Sequence, residues 1–195
     1  MRRSILLLLL KEFYGMHSIT SISKELGTSR VGVWKVVKKL EEDELIKVEP
    51  VGFGKTSTYI IRINWDSTII EKTLALYLSE EAERQKRWIT NFAGLQDATD
   101  FTILFGSVLI SPKEANDIDI IGVAKKQNFD KVQKIIDGSQ KTQRRKIHSI
   151  NFTKSEFIKE LEKPNKALID AVKKGIVLFG QENFVGFIKE IRYGH

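Results

Sequence analysis

The chain has 195 residues, 42% of them hydrophobic and 29% charged, with a formal net charge of +7 and no cysteine. That is enough apolar sequence for one generous domain or two small ones, so no disorder is needed to account for the chain. The missing cysteine excludes disulfides, thiolate metal sites and cysteine nucleophiles and fits a reducing, cytoplasmic compartment, while the positive charge hints at a polyanionic partner.

The first apolar run, "ILLLLL" at residues 5–10, follows Met1-Arg2-Arg3 and has the ingredients of a signal peptide. Lys11 and Glu12 cut it far short of the ~20 apolar residues of a membrane span, and no small-residue cleavage site follows. The expectation is a buried first helix ending at Gly15, with no membrane partner. In "ITSISKELG", Ile22 and Leu26 recur four apart and Gly27 stops a short second helix. "TSRVGVWKVVKKLEEDELI" opens on Thr28 or Ser29 as a cap and keeps Val33, Val36, Val37 and Leu40 at helical spacing. "LIKVEPVGFGKTSTYIIRIN" then alternates on both sides of a Gly-Lys-Thr-Ser tip, which predicts a hairpin.

Three helices with a glycine turn between the last two, followed by a hairpin, form an order that resembles the winged helix-turn-helix domains of prokaryotic transcription regulators, over residues 1–65. The resemblance implies double-stranded DNA as partner, with the third helix in the major groove and the wing on the backbone or minor groove. The candidate contacts are Ser29, Arg30, Lys35, Lys38 and Lys39 on the helix, with Lys55 and Thr56 at the wing tip. Residues 1–65 carry 11 Lys and Arg against 7 Asp and Glu, and the basic members concentrate on the third helix. A protein-docking role is the alternative, in which Lys35, Lys38 and Lys39 form a solvated face with Glu41 and Glu42 one turn on. Trp34 is expected in the core or at a dimer contact rather than on nucleic acid.

Residues 66–95 open on an Asp-Ser cap and carry apolar positions at Ile69, Ile70, Leu74, Leu76, Tyr77, Leu78, Ala82, Trp88, Ile89 and Phe92. This predicts one long helix or two in tandem, a connector with a charged middle, "SEEAERQKR". Winged-helix regulators usually read two half-sites as dimers, so the resemblance implies a homodimer.

From residue 96 the elements alternate. The spacing predicts strands in "TDFTILF", "DIDIIGVA", "KIHSINF" and "IVLFG", with helices in "FDKVQKIIDG", "KSEFIKELE", "NKALIDAVKKG" and "ENFVGFIKEI". Between the first two strands lie Gly106-Ser107 and nine mixed residues, and the second strand begins Asp117-Ile118-Asp119. Strand residues alternate in direction, so Asp117 and Asp119 share one face and Ile118 and Ile120 the other. Two carboxylates that close repel, so a cation belongs between them or one takes up a proton.

A Gly-Ser turn between two strands, the second starting Asp-x-Asp, is similar to the signature of the minimal nucleotidyltransferases of the DNA polymerase beta-like superfamily. The closing "GIVLFGQENF" also resembles that family's last strand and helix. The whole chain is thus expected to be α+β, with a winged helix-turn-helix at 1–65, a helical connector at 66–95 and a nucleotidyltransferase-like mixed α/β domain at 96–195. The resemblance implies magnesium held by Asp117 and Asp119 as catalytic carboxylates, and a nucleoside triphosphate, ATP in the first instance, held at Gly106 and Ser107. It also implies a third carboxylate on the neighbouring strand. "KIHSINFT" has none, and His148 or Ser149 is expected in its place.

Relatives often carry Ala-Arg-Gly after Gly-Ser, where this chain has "VLIS". The basic cluster Lys141, Arg144, Arg145 and Lys146 either reaches phosphates in compensation or forms a solvated loop. The departures favour a DNA-binding regulator whose second domain binds metal and nucleotide with weak or lost catalysis. The alternative is an active magnesium-dependent transferase, for example an antitoxin that modifies a hydroxyl of a protein or RNA partner. A drug-modifying transferase ranks third, because a winged helix has no role in it.

Overall fold

The computed structural model describes residues 1–51, 58–163 and 165–193. The chain is mixed α and β and divides into two compact units, residues 1–77 with 188–195 and residues 78–187. Among the described residues no helix is long and apolar enough to cross a membrane.

The first unit opens with three helices, α1 (Arg2–Lys11), α2 (Ile19–Glu25) and α3 (Arg30–Glu42), followed by an antiparallel pair, β1 (Ile46–Val51) and β2 (Thr58–Ile63). The apolar run of α1 is core: Ile5, Leu6, Leu7, Leu9 and Leu10 are buried, as are Ile22 on α2 and Val33, Val37 and Leu40 on α3. Ser18 starts α2 with a capping box shared with Ser21, and the Ser29 hydroxyl accepts the Gly32 amide at the start of α3. Ser29 and not Thr28 is therefore the cap. Between the two helices the chain turns at Gly27, whose φ of +59° is left-handed, while the Thr28 amide reaches back to the Ser23 carbonyl and the Gly27 amide to that of Lys24. That pairing satisfies two end carbonyls of α2 and favours glycine, which adopts the left-handed conformation without a Cβ penalty.

The hairpin is tied to the helices by main chain. The Ile61 amide donates to the carbonyl of His17, in the α1–α2 loop, at 2.7 Å. His17 is itself buried, with Nε2 3.0 Å from the Glu12 carbonyl. The expected wing tip, with Lys55 and Thr56, lies outside the described residues.

The expected connector holds α4 (Ile70–Glu83) and α5 (Lys86–Asn91), two helices in tandem, and the division between the units falls within α4. On α4 the buried positions are Ile70, Leu74, Ala75, Leu78 and Ala82, whereas Ile69 and Leu76, also apolar, are exposed.

In the second unit, β3 (Phe101–Phe105), β4 (Asp117–Val123), β5 (Lys146–Phe152) and β6 (Ile176–Phe179) form one sheet in the order β5-β4-β3-β6. β3 runs antiparallel to both β4 and β6, and β4 runs parallel to β5. A parallel pair needs a crossover, and α7 (Phe129–Gln140) supplies it. Val132 and Ile136 of α7 join Leu104, Ile118, Ile120, Ile147, Phe92 and Leu95 in one core layer. The opposite layer has Phe101 against Phe157 of α8 (Lys154–Glu162) and against Phe184 and Phe187 of α10 (Gln181–Tyr193), with ring centroids 5.2–6.0 Å apart. Before β6, α9 (Lys166–Lys174) packs on β3.

One exposed residue departs from its preferred backbone. Glu44, just past α3, has a φ of +56°, and the Leu45 amide reaches back to the Leu40 carbonyl in the same helix-ending pattern that Gly27 makes for α2. A non-glycine residue in that conformation costs roughly 1–2 kcal/mol. Glu44→Gly is therefore expected to stabilise the chain by about 1 kcal/mol, read as a higher urea midpoint at unchanged slope; a lower midpoint would show that the Glu44 side chain contributes more than its backbone costs.

Candidate metal and nucleotide site

The strand pairings bring the site together. In the antiparallel register Phe105 lies opposite Asp119, and in the parallel register Asp117 lies opposite Lys146 and Asp119 opposite His148. Asp117, Asp119, Lys146 and His148 therefore share one face of the sheet. Ile118 and Ile120, both fully buried, anchor the other. Of the two residues expected in the third position, His148 is the one that stands beside the aspartates, because Ser149 is one step along β5 and points to the opposite face, where its hydroxyl donates to Asn151 Oδ1 at 3.3 Å.

The His148 Nδ1 lies 3.5 Å from Asp117 Oδ2 and 3.5 Å from Asp119 Oδ1. One donor atom from each of the three side chains falls within 4.8 Å of the others, an arrangement that could hold a metal ion. Two unit charges at that separation repel by about 3 kcal/mol at an effective dielectric near 20, before any discount for partial exposure. Burial first, and the Asp117 charge second, push the Asp119 carboxyl above its ordinary value, against the lowering effect of the His148 hydrogen bond and charge.

Gly106 completes the wall on the β3 side. It has a φ of +83°, and a Cβ built there would sit 2.3 Å from Asp119 Oδ2. Only a glycine lets the backbone lie against that carboxylate. The Gly-Ser segment is not a plain turn, because Ser107 opens a one-turn helix, α6 (Ser107–Ile110), with Val108 buried below it. Ser107 itself is exposed.

The basic cluster splits in its roles. Arg145 is half-buried and donates to the Lys113 carbonyl at 3.2 Å, so it ties the loop before β4 to the start of β5. Lys141 and Arg144 are exposed, and so is Lys146, which stands beside Asp117 on the site face. A residue that the periodicity did not single out, Gln140, holds this loop: its Nε2 donates to the carbonyls of Gln143 and Arg145, and its Oε1 accepts the Ile147 amide at 2.8 Å. Its only sequence signal is a long amide side chain at the last position of α7.

In the first unit, Arg30, Lys35, Lys38 and Lys39 are all exposed along α3, and Ser29 caps it. Lys38 is engaged locally, donating to Glu41 Oε2 at 2.8 Å and lying 4.8 Å from the centre of the Trp34 ring. Trp34, expected in the core or at a dimer contact, is 38% exposed on this same face. Lys55 lies outside the described residues.

Compared with protein-family models, with curated proteins and with solved structures, the chain matches none.

The raised Asp119 carboxyl has a consequence for stability. Its folded value lies above the ordinary 3.8, so the folded chain holds the proton more tightly than the unfolded chain and ionisation costs stability. That cost is absent below the unfolded value and complete once the pH has risen through the folded one. With chelator present, Asp119→Asn should melt higher than the parent at neutral pH, and the difference should fade as the pH falls toward about 4. Equal melting temperatures at pH near 7 would show that ionising Asp119 carries no net cost in the folded chain.

Proposed function

We propose that the protein is a DNA-binding regulator: residues 1–65 act as a winged helix-turn-helix, and the second unit, in the manner of a minimal nucleotidyltransferase, binds a divalent cation and a nucleoside triphosphate with slow turnover. The observation that carries this is the group of Asp117, Asp119 and His148 on one sheet face, walled by Gly106. Two carboxylates that repel and are partly withdrawn from water provide a favourable seat for a cation. A bound divalent ion would supply neutralisation of phosphate charge. Ser107 offers a hydroxyl and an amide to phosphate oxygens at the mouth of the site, and Lys146 adds a positive charge beside Asp117.

Nucleotidyl transfer forms a bond from an acceptor hydroxyl oxygen to the α-phosphorus and breaks the bond to the β-phosphate's bridging oxygen. Pyrophosphate leaves, and the hydroxyl proton goes to a base. The residue best placed to complete the site here is a neutral or positive imidazole where the resemblance implies an anion. Loss of a well-placed general base typically costs about 10²- to 10⁴-fold. Binding without rapid transfer suits a sensor more than a catalyst.

For the first unit, three helices and an antiparallel hairpin in that order support the winged-helix reading, and the exposed Arg30, Lys35 and Lys39 give α3 a cationic face. Trp34 beside Lys38 adds a flat apolar surface that suits a sugar or base. A second copy of the chain, reading a second half-site, is the assembly that this mode of binding favours.

The nucleotide reading is tested by calorimetry with ATP in the presence of Mg²⁺ or Mn²⁺. The parent should bind the triphosphate only when a divalent ion is present, and Gly106→Ala, which drives a Cβ into the Asp119 carboxylate, should weaken binding by about tenfold or more. Cation-independent binding, or none, would remove the assignment. For DNA, Arg30→Ala with Lys35→Ala should lower the slope of log affinity against log salt by about two and weaken binding across sequences. An unchanged slope would place the nucleic acid elsewhere or nowhere.

A further inference from the structure

We infer that the Asp117, Asp119 and His148 site selects a first-row transition ion over Mg²⁺, and that the His148 imidazole sets this preference. The inference rests on the proposed reading of the group as a cation site and adds which class of cation it takes.

The donor set is two carboxylate oxygens and one imidazole nitrogen. Mg²⁺ takes oxygen ligands at about 2.1 Å, demands near-octahedral geometry and gives up its waters reluctantly. An imidazole nitrogen in place of one water gains it little. Manganese and the later divalent ions bind imidazole and carboxylate together, with affinity rising along the series from Mn²⁺. Replacing an anionic third ligand by a neutral one also lowers the site's charge from three negative to two, which matches a single divalent ion and weakens the purely electrostatic hold that Mg²⁺ depends on.

Geometry makes His148 a ligand candidate rather than a bystander. The same nitrogen, Nδ1, faces both aspartates at 3.5 Å. Octahedral or tetrahedral donors on bonds of about 2.1 Å stand roughly 3.0–3.4 Å apart, so the two imidazole–carboxylate distances need to close by only a few tenths of an ångström, while the carboxylates, within 4.8 Å, swing inward about the ion. The backbone beneath is fixed, because β4 and β5 pair from Asp117↔Lys146 to Val123↔Phe152, with Ile118, Ile120 and Ile147 buried on the reverse face. The Gln140 clamp on the Ile147 amide holds the residue just before His148. The imidazole is therefore presented by a strand and not by a loop, and its position relative to the aspartates is built in.

The competing account is that His148 serves only as an internal counter-cation for the two carboxylates. It makes the opposite forecast for one substitution. If the imidazolium occupies the cation's place, His148→Ala should tighten Mg²⁺ and Mn²⁺ alike; if the imidazole is a ligand, the same change should weaken Mn²⁺ by about tenfold or more and leave Mg²⁺ nearly unchanged.

The experiment titrates the full chain, without nucleotide, with MnCl₂ followed by electron paramagnetic resonance of the free ion, and then displaces Mn²⁺ with MgCl₂. It is run at a pH of about 7.5, where an ordinary imidazole is neutral. The expected result is a site that Mn²⁺ occupies at least about tenfold more tightly than Mg²⁺, with the ratio falling by about tenfold in His148→Asp. A ratio that does not change between the parent and His148→Asp would overturn the inference while leaving the cation site standing. No binding of either ion by the parent would sink the site itself. Because a substitution on β5 could disturb folding, the parent is also examined by NMR. Sub-stoichiometric Mn²⁺ should broaden the His148 ring resonances ahead of those of His17, and equal broadening of the two would likewise overturn the inference.

Discussion

The parallel pairing of β4 with β5 is the constraint on which the site depends. A single step of register would carry His148 to the reverse face and bring Ser149 or Ile147 beside the aspartates. The register is held from the other side of the sheet, where Ile118, Ile120 and Ile147 share a core layer with Val132 and Ile136 of α7. Slipping β5 by one step would carry Ile147 out of that layer, a side chain worth roughly 1.5–3 kcal/mol when fully buried. The hydrophobic layer thus fixes a polar geometry that, by itself, is repulsive.

That division of labour explains why the two aspartates can persist. Asp119 is partly withdrawn from water and close to Asp117, and both effects act against its ionisation. His148 offsets part of that, and the Gly106 backbone crowds the carboxylate from the β3 side without offering a side chain. The pocket of charge is kept by its neighbours and not by its own interactions. Such an arrangement is a common mark of a place built for a ligand.

The first unit uses a different device. Its helices end in left-handed residues, Gly27 after α2 and Glu44 after α3, and a main-chain bond from Ile61 to His17 fixes the hairpin to the α1–α2 loop. The result is that α3 buries Val33, Val37 and Leu40 and turns Arg30, Trp34, Lys35 and Lys39 outward. One face is thereby spent on the core and the other is left cationic with an aromatic in its midst.

Much of this was legible in the residues alone, because it is local. Period and punctuation placed the six strands of the described residues and the longer helices beside them, though not the one-turn α6; Gly27 marked the turn after α2, and alternation put Asp117 and Asp119 on one face and Ile118 and Ile120 on the other. The sequence by itself could not choose between His148 and Ser149, because which face of β5 meets the aspartates depends on pairing with a strand about thirty residues away. Nor could it rank Ile69 and Leu76 below Ile70 and Leu74 on α4, or bring Trp34 to the surface, since each outcome depends on what packs against the helix. Gln140 is the same lesson in polar form: an amide at the end of α7 has no pattern of its own, and only the fold brings the Ile147 amide and two loop carbonyls within its reach. Local backbone preference and periodicity are written along the chain, whereas strand register and the partners of a side chain are decided by long-range packing.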